Sequence, residues 1–114
     1  MVKLMNIDTL SIIFAALADP TRRGILERLS HGEATVSELA KPYDMSMAAV
    51  SKHLKVLDNA GLISRTKEAQ WRYCRFEGAP LEDANAWVTK YKTFWAKQLF
   101  QLDDYLNSKE IKDG

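Results

Sequence analysis

Residues 46–60 read SMAAVSKHLKVLDNA, and this stretch decides the fold of the chain. At about 100° per residue, as in an α-helix, Val50, Leu54 and Leu57 fall on one apolar side. The opposite side is small, polar and cationic, and it consists of Ala48, Ser51, Lys52, Lys55 and Asn59. The stretch is therefore predicted to form an amphipathic helix with no acidic residue at the centre of its polar face.

Two interpretations of that polar face are open from the helix alone. Such a face can enter the major groove of DNA, where acidic side chains would be repelled. An ordinary surface helix with a solvated lysine face has the same pattern. The neighbouring segments distinguish the two.

The segment before this helix predicts a short helix and a turn. Thr35 followed by Glu38 fits a capping box, in which each side chain satisfies a free backbone N–H. Pro42 limits this helix to about two turns, and Ser46 is placed to cap the next one. A short helix, a turn and a longer helix over about residues 35–60 constitute a helix-turn-helix.

The segment after it predicts a β-hairpin over about residues 63–77. Residues 71–76, WRYCRF, alternate with a period of two, and Ala69-Gln70 would form the turn. Arg65, Lys67 and Arg72 make the hairpin basic. A basic hairpin in this position is typical of a wing that contacts DNA, although edge charges of this kind also discourage aggregation of ordinary hairpins.

Further helices are predicted on both sides. Apolar spacing favours one over about residues 7–18, and Asp19-Pro20 would begin another that reaches about Ser30. Arg22 and Arg23 would lie in its first turn, where the helix dipole disfavours cations. Their charges could be compensated by a phosphate or by Asp19, or could simply be solvated.

The last predicted helix covers about residues 80–107, followed by a polar tail from Ser108. Its aromatic and apolar residues repeat every three to four positions over about seven turns, roughly 40 Å at 1.5 Å per residue. A small domain cannot cover so long an apolar face, and such a face usually marks a subunit interface. We therefore expect a homodimer whose interface includes Leu10, Phe14, Trp87, Tyr91, Phe94, Trp95, Leu99 and Leu102.

Composition sets the class of protein. The 114 residues are 46% hydrophobic and 27% charged, which predicts a single globular domain over residues 1–114. Residues 45–77 hold six Lys or Arg against three Asp or Glu, whereas the flanking segments each carry a slight acidic excess. One cysteine favours a reducing cytoplasmic location, and no apolar run approaches the roughly 20 residues that span a bilayer.

The order of these motifs resembles the ArsR-type winged-helix transcriptional repressors. The resemblance rests on LADPTRRGILERL at 17–29, TVSELA at 35–40, MSMAAVSKHLKVLDNAGLISR at 45–65 and WRYCRF at 71–76. It implies a mainly α fold, in which a winged helix-turn-helix has a two-stranded hairpin wing and a long C-terminal dimerisation helix. It also implies a homodimer that binds an imperfect palindrome in a promoter, with Met47, Ala48, Ser51 and Lys52 facing the bases.

Two departures from the family pattern matter. Metal-sensing members carry paired cysteines on the TVSELA helix or Asp, His and Glu ligands on the last helix, whereas here the first has no Cys and the second no His. We therefore expect no metal site and no cofactor. The wing turn of relatives often contains Gly, and Glu68-Ala69-Gln70 is less compatible with a tight turn.

The sequence thus predicts a sequence-specific, DNA-binding repressor of transcription, with double-stranded DNA and a second copy of itself as partners. Its predicted DNA contacts are Ser46, Met47, Ala48, Ser51, Lys52, Lys55, Arg65, Lys67 and Arg72. No catalytic residues are predicted, because neither His31, His53 nor Cys74 belongs to a nucleophile motif.

Three alternatives stay open. The repressor could be released by an unknown small-molecule ligand or by oxidation at Cys74, although a cysteine in a strand is more often a small core residue. The chain could also be a dimeric protein-interaction module that has lost DNA binding. His53, at the edge of the apolar face, is expected to be a structural residue or a phosphate contact.

Overall fold

The computed structural model describes residues 8–113, and it describes side chains as far as Ser108. The predicted helix start at Ile7 lies outside these residues. The elements, in chain order, are α1 (Thr9–Leu17), α2 (Pro20–Leu29), β1 (Ala34–Thr35), α3 (Val36–Ala40), α4 (Met47–Asn59), β2 (Ile63–Glu68), β3 (Trp71–Phe76) and α5 (Ala79–Asp113). By compactness the chain divides into two units, one ending at Ala84 and the other beginning at Asn85.

Side-chain caps begin the first four helices. Asp8, Asp19 and Ser46 each accept a hydrogen bond of 3.1 Å from a backbone N–H in the first turn of α1, α2 and α4. Thr35 and Glu38 form the predicted capping box of α3, with each side chain accepting from the other residue's backbone N–H. Because these caps satisfy N–H groups that the helix itself cannot, the helix starts are fixed by local sequence.

The hairpin forms as predicted, and it belongs to a larger sheet. β2 and β3 pair antiparallel from Ile63 opposite Phe76 to Glu68 opposite Trp71. β1 pairs with the other edge of β3, so the sheet has three strands in the order β1-β3-β2. The predicted two-stranded wing therefore omitted one strand, because a two-residue strand is too short to show a period-two pattern.

Two turns depend on left-handed backbone. Gly61, with φ of 73°, follows Ala60, the C-cap residue of α4, and turns the chain back to the core as expected. Ala69 has φ of 54° in the two-residue hairpin turn. The turn therefore forms without glycine, in a conformation that is unfavourable for a residue with a Cβ atom.

The core of the first unit lies between the helices and the sheet. Val50, Leu54 and Leu57 are fully buried, which confirms the predicted inner side of α4. The other buried residues of this cluster are Ala16, Ile25, Leu26, Leu29, Ala34, Leu39, Ala60, Leu62, Ile63 and Cys74. Val36 and Ala40 pack against the cluster from α3 and are only partly buried.

Beyond Asn85, the chain is a single helix. The sequence predicts that this helix ends at about residue 107, before a polar tail. α5 continues to Asp113, so the predicted end is wrong. The tail contains neither Gly nor Pro before Gly114, and polarity alone does not end a helix. No helix within residues 8–113 has both the length and the apolar content needed to cross a membrane.

Candidate nucleic-acid interface

The outer face of α4 is available for contact. Met47 is 51% exposed, and Ala48, Ser51, Lys52, Lys55 and Asn59 are all exposed. The apolar side of the same helix is fully buried, so the core fixes which way the helix presents its polar side. Ser46, at the N-cap, is also exposed. All the α4 positions predicted to face DNA are thus exposed.

The hairpin places its basic residues on one face. Every second side chain of a strand points to the same face of the sheet. On β2, Arg65 and Lys67 therefore share the face of buried Ile63, and on β3 Arg72 shares the face of buried Cys74. This is the face directed toward the core and α4. Lys67 lies directly opposite Arg72. Like charges in such a pair destabilise a sheet, and an anion bound beside them would offset the repulsion.

A groove of about 660 Å³ runs between α3, α4 and the hairpin. It brings together five of the predicted DNA contacts, Met47, Ser51, Arg65, Lys67 and Arg72. The remaining lining residues are Thr35, Val36, Ser37, Leu54, Thr66, Gln70, Trp71 and Tyr73. Ser46, Ala48, Lys52 and Lys55 are exposed on α4 and do not line the groove.

The charges of the hairpin differ in how they are compensated. Arg65 donates from both Nη2 and Nε to Asp58 Oδ2, at 3.0 and 3.3 Å. Arg75 pairs with Glu33 at 3.1 Å. Lys67 and Arg72, by contrast, have no carboxylate within 4.0 Å among the side chains that the structure describes.

The same is true of Lys52 and Lys55 on α4, within the described side chains. Around the groove and the outer face of α4, four cations therefore have no carboxylate partner among the described side chains. The Asp58–Arg65 pair was not predicted, because it joins the end of a helix to a strand across a loop.

Trp71 is a groove residue that the sequence interpretation missed. Its side chain is 49% exposed at the tip of the hairpin, next to the turn. Gln70 and Thr66 accompany it in the groove lining. The alternating pattern identified Trp71 as a strand residue, and its position beside the turn was the available signal that it would not be buried.

Arg22 and Arg23 have a structural explanation. Arg22 donates from Nε to the carbonyl of Ala16 at 2.8 Å, and from Nη2 to that of Ala15 at 3.0 Å. Arg23 donates to the carbonyl of Leu17 at 2.7 Å. Both guanidinium groups thus lie at the C-terminal end of α1, where the helix dipole favours cations.

Asp19, the N-cap residue of α2, has polar partners on α2 and α4. The backbone N–H of Arg22 donates to its carboxylate and holds the pKa of Asp19 below its ordinary value. His53 Nδ1, on α4, lies 3.8 Å from the same carboxylate. Its Nδ1 atom is 3.2 Å from Arg22 Nη1, so His53 has internal polar contacts, in line with the structural role expected for it.

Cys74 is fully buried in the middle of β3. Burial raises the pKa of its thiol, because the thiolate would lose hydration in the core. Oxidants react with an exposed thiolate, so this environment is unsuited to a redox sensor. Among the side chains described, those of residues 8–108, no three His, Cys, Asp or Glu are grouped so that they could hold a metal ion.

The predicted dimer contacts occur in both units. In the first unit, Leu10 and Phe14 are half-buried on α1. In the second, every described side chain from Asn85 to Ser108 is exposed. The exposed residues include all six predicted contacts of α5, namely Trp87, Tyr91, Phe94, Trp95, Leu99 and Leu102.

Comparisons with known proteins agree with this geometry. A helix-turn-helix domain family matches residues 17–66. The transcriptional repressor SdpR of Bacillus subtilis is 33% identical over 79 residues, which cover 69% of this chain and 88% of the relative.

Two solved structures share the fold. The ArsR family transcriptional regulator RHA00566 is 45% identical with a TM-score of 0.74, covering 78% of this chain and 92% of that one. The homodimeric winged helix-turn-helix DNA-binding domain of Mb0332 from Mycobacterium bovis is 27% identical with a TM-score of 0.62, covering 81% and 85%. This chain belongs to the ArsR-type family of winged helix-turn-helix transcriptional repressors.

Proposed function

We propose that this protein binds a two-fold symmetric DNA operator as a homodimer and represses the promoter that contains it. One observation carries the proposal. Lys67 and Arg72 of the hairpin line the groove together with Met47 and Ser51 of α4, and the exposed outer face of the same helix carries Lys52 and Lys55. In the described part of the chain none of these four cations has a carboxylate within 4.0 Å. A polyanion that contacts both the groove and the outer face of α4 would meet all four.

In this proposal α4 reads the bases from the major groove. Its first backbone N–H groups, beside Ser46, would receive a phosphate at the positive end of the helix dipole. Ser51 and Lys52 would bond to base edges, and Met47 and Ala48 would contact apolar groups such as a thymine methyl.

The hairpin would then bind the phosphate backbone. Lys67 and Arg72 are repelled by each other, and a phosphate between them would relieve that repulsion. Lys55 would contact the backbone from α4. Arg65 is proposed as a weaker contact than the other three, because Asp58 already neutralises much of its charge.

Dimerisation would bury the exposed apolar face of α5. Trp87, Tyr91, Phe94, Trp95, Leu99 and Leu102 fall within one broad stripe of that helix, and Leu10 and Phe14 on α1 would add to it. The homodimeric state of the Mb0332 domain supports this arrangement. The two copies of α4 would reach half-sites about one helical turn apart, roughly 34–36 Å.

The first test is selection of DNA by the purified protein. Sheared genomic DNA of the source organism is incubated with the protein at low salt, and the bound fragments are sequenced. We expect a small set of fragments that share a two-fold symmetric motif. If no fragment is enriched, the DNA-binding proposal is wrong and the protein-interaction alternative is favoured.

The second test examines the hairpin. Replacing Lys67 by Ala should weaken binding to all sequences and reduce the slope of log K against log salt by about one. Arg75→Ala is the matched control, because Arg75 lies on the opposite face of β3 and is paired with Glu33. Equal slopes for the Lys67 variant and the wild type would remove Lys67 from the interface.

The third test separates base reading from backbone binding. Replacing Lys52 by Ala should relax preference at particular base pairs of the selected motif, by roughly tenfold or more for a good contact. Binding to a scrambled duplex should change much less. Preserved discrimination at every position would show that Lys52 does not read bases.

A further inference from the structure

Arg22 makes contacts with three different parts of the first unit. Two of its nitrogen atoms donate to the last carbonyls of α1, at Ala15 and Ala16. Its own backbone lies in the first turn of α2, where its N–H donates to Asp19. Its remaining terminal nitrogen, Nη1, lies 3.2 Å from His53 Nδ1 on α4.

The chemistry of these groups fixes the direction of the last contact. A guanidinium group has five N–H donors and no acceptor, so His53 Nδ1 must accept. The planar fork of Arg22 thus satisfies two backbone carbonyls and one imidazole nitrogen at once, which an ammonium group on a flexible stem cannot do with the same geometry.

The contact is also shielded from solvent. The side chain of His53 is 20% exposed, and Arg22 is part-buried. In α4, His53 lies between the exposed Lys52 and the fully buried Leu54. A hydrogen bond at that position adds a polar restraint at the edge of α4 to the apolar packing of Val50, Leu54 and Leu57.

We infer that Arg22 and His53 are positioning residues that hold α4 at a fixed place relative to α1, and so set the spacing of half-sites that the dimer accepts. The inference rests on the proposed function, in which α1 contributes Leu10 and Phe14 to the dimer interface and α4 reads DNA. If α1 packs against the second copy, the contacts that join α1 to α4 determine the distance between the two copies of α4.

Spacing of half-sites is the measurement that tests this role. The duplex most enriched by the wild-type protein from a random-sequence pool is compared with versions lengthened by one and by two base pairs at its centre, and with a scrambled duplex. The wild-type protein should bind the lengthened duplexes much more weakly. In His53→Ala that penalty should shrink by about threefold to tenfold, the effect of one side-chain hydrogen bond, with scrambled-duplex binding unchanged.

Three further variants make the result specific. His53→Asn should keep the wild-type penalty, because its amide oxygen can take the place of Nδ1 and accept from Arg22. Arg22→Lys should behave like His53→Ala while keeping the charge, and it replaces that variant if His53→Ala does not fold. Arg23→Ala should keep the wild-type penalty, because Arg23 caps α1 through Leu17 and has no recorded bond to α4 within the described residues.

The outcomes distinguish the two proposals. If the wild-type protein enriches no duplex, DNA binding itself is wrong. If it enriches a duplex and all four variants show the wild-type spacing penalty, DNA binding stands and the positioning role of Arg22 and His53 is overturned. The positioning role is also overturned if Arg23→Ala loses the spacing penalty as fully as His53→Ala. Capping of α1 would then be sufficient to explain the penalty.

Discussion

The two units of the chain differ in whether their hydrophobic residues are buried. In the unit that ends at Ala84, the apolar sides of α2, α3, α4 and the sheet close over one another and leave Val50, Leu54 and Leu57 without exposure. From Asn85 to Ser108 every described side chain is exposed, including large aromatic ones. The first unit closes an apolar core of its own, whereas a helix with no buried side chain gains little stability until it packs against another surface.

This difference predicts where mutations change folding and where they change assembly. The largest effect on unfolding is expected for Leu54→Ala, because Leu54 is fully buried in the core. The cost should be about 2–5 kcal/mol, measured by urea unfolding of the whole chain. Lys55→Ala, one position along on the exposed side, should stay within about 0.5 kcal/mol. Similar shifts for both variants would mean that the first unit has no closed core.

Substitutions in the exposed stripe of α5 should change dimerisation more than unfolding. Trp95→Glu places a charge on that stripe and should raise the dimer dissociation constant by about a hundredfold, measured by analytical ultracentrifugation. Phe100→Glu is the control, since Phe100 is 72% exposed and lies on the other side of the helix. If both substitutions weaken the dimer equally, or neither does, the stripe is not the interface.

A smaller effect is expected at the start of α4. Ser46→Ala removes the side-chain acceptor of the Ala49 N–H, and should lower the free energy of unfolding by about 1 kcal/mol. Ser46→Asp should retain most of the stability, because aspartate is an equally good N-cap residue. An unchanged midpoint in Ser46→Ala would show that packing of the first unit, and not the cap, fixes where α4 begins.

The smallest effect concerns pH. The pKa of Asp19 is lowered in the folded state, chiefly by the backbone N–H of Arg22, so its contribution to stability is present above its ordinary value of 3.8. That contribution is lost as the pH falls through 3.8 and then through the lower folded pKa. Thermal unfolding below about pH 5 should therefore depend less on pH in Asp19→Asn than in the wild type. Parallel curves would show that this carboxylate is not linked to folding.

Local signals in the sequence predicted most of the first unit. Asp19, the Thr35–Glu38 box, Ser46 and Gly61 each act on backbone groups within a few residues, so their effect can be predicted without knowing the tertiary structure. The buried side of α4 followed from helical periodicity for the same reason. The predicted DNA-contact residues lie on exposed positions, and five of them line one groove.

What the sequence did not predict depends on partners that are distant along the chain. β1 becomes a strand only because β3 lies beside it. The bond between Arg22 and His53 spans 31 positions, and Asp58 meets Arg65 across a loop. The predicted end of α5 is wrong for a different reason, because a polar stretch that contains no helix-breaking residue does not stop a helix.

The three-stranded sheet also has a kinetic consequence. The β2–β3 ladder joins residues that are 3 to 13 positions apart. A hairpin of this kind can form within about 1–10 μs. Pairing of β1 with β3 joins Ala34 to Cys74, and it closes a loop of 40 positions for the hydrogen bonds of only two residues. We therefore expect β1 to dock last in refolding, and its amides to exchange with solvent deuterium earlier than those of the hairpin centre.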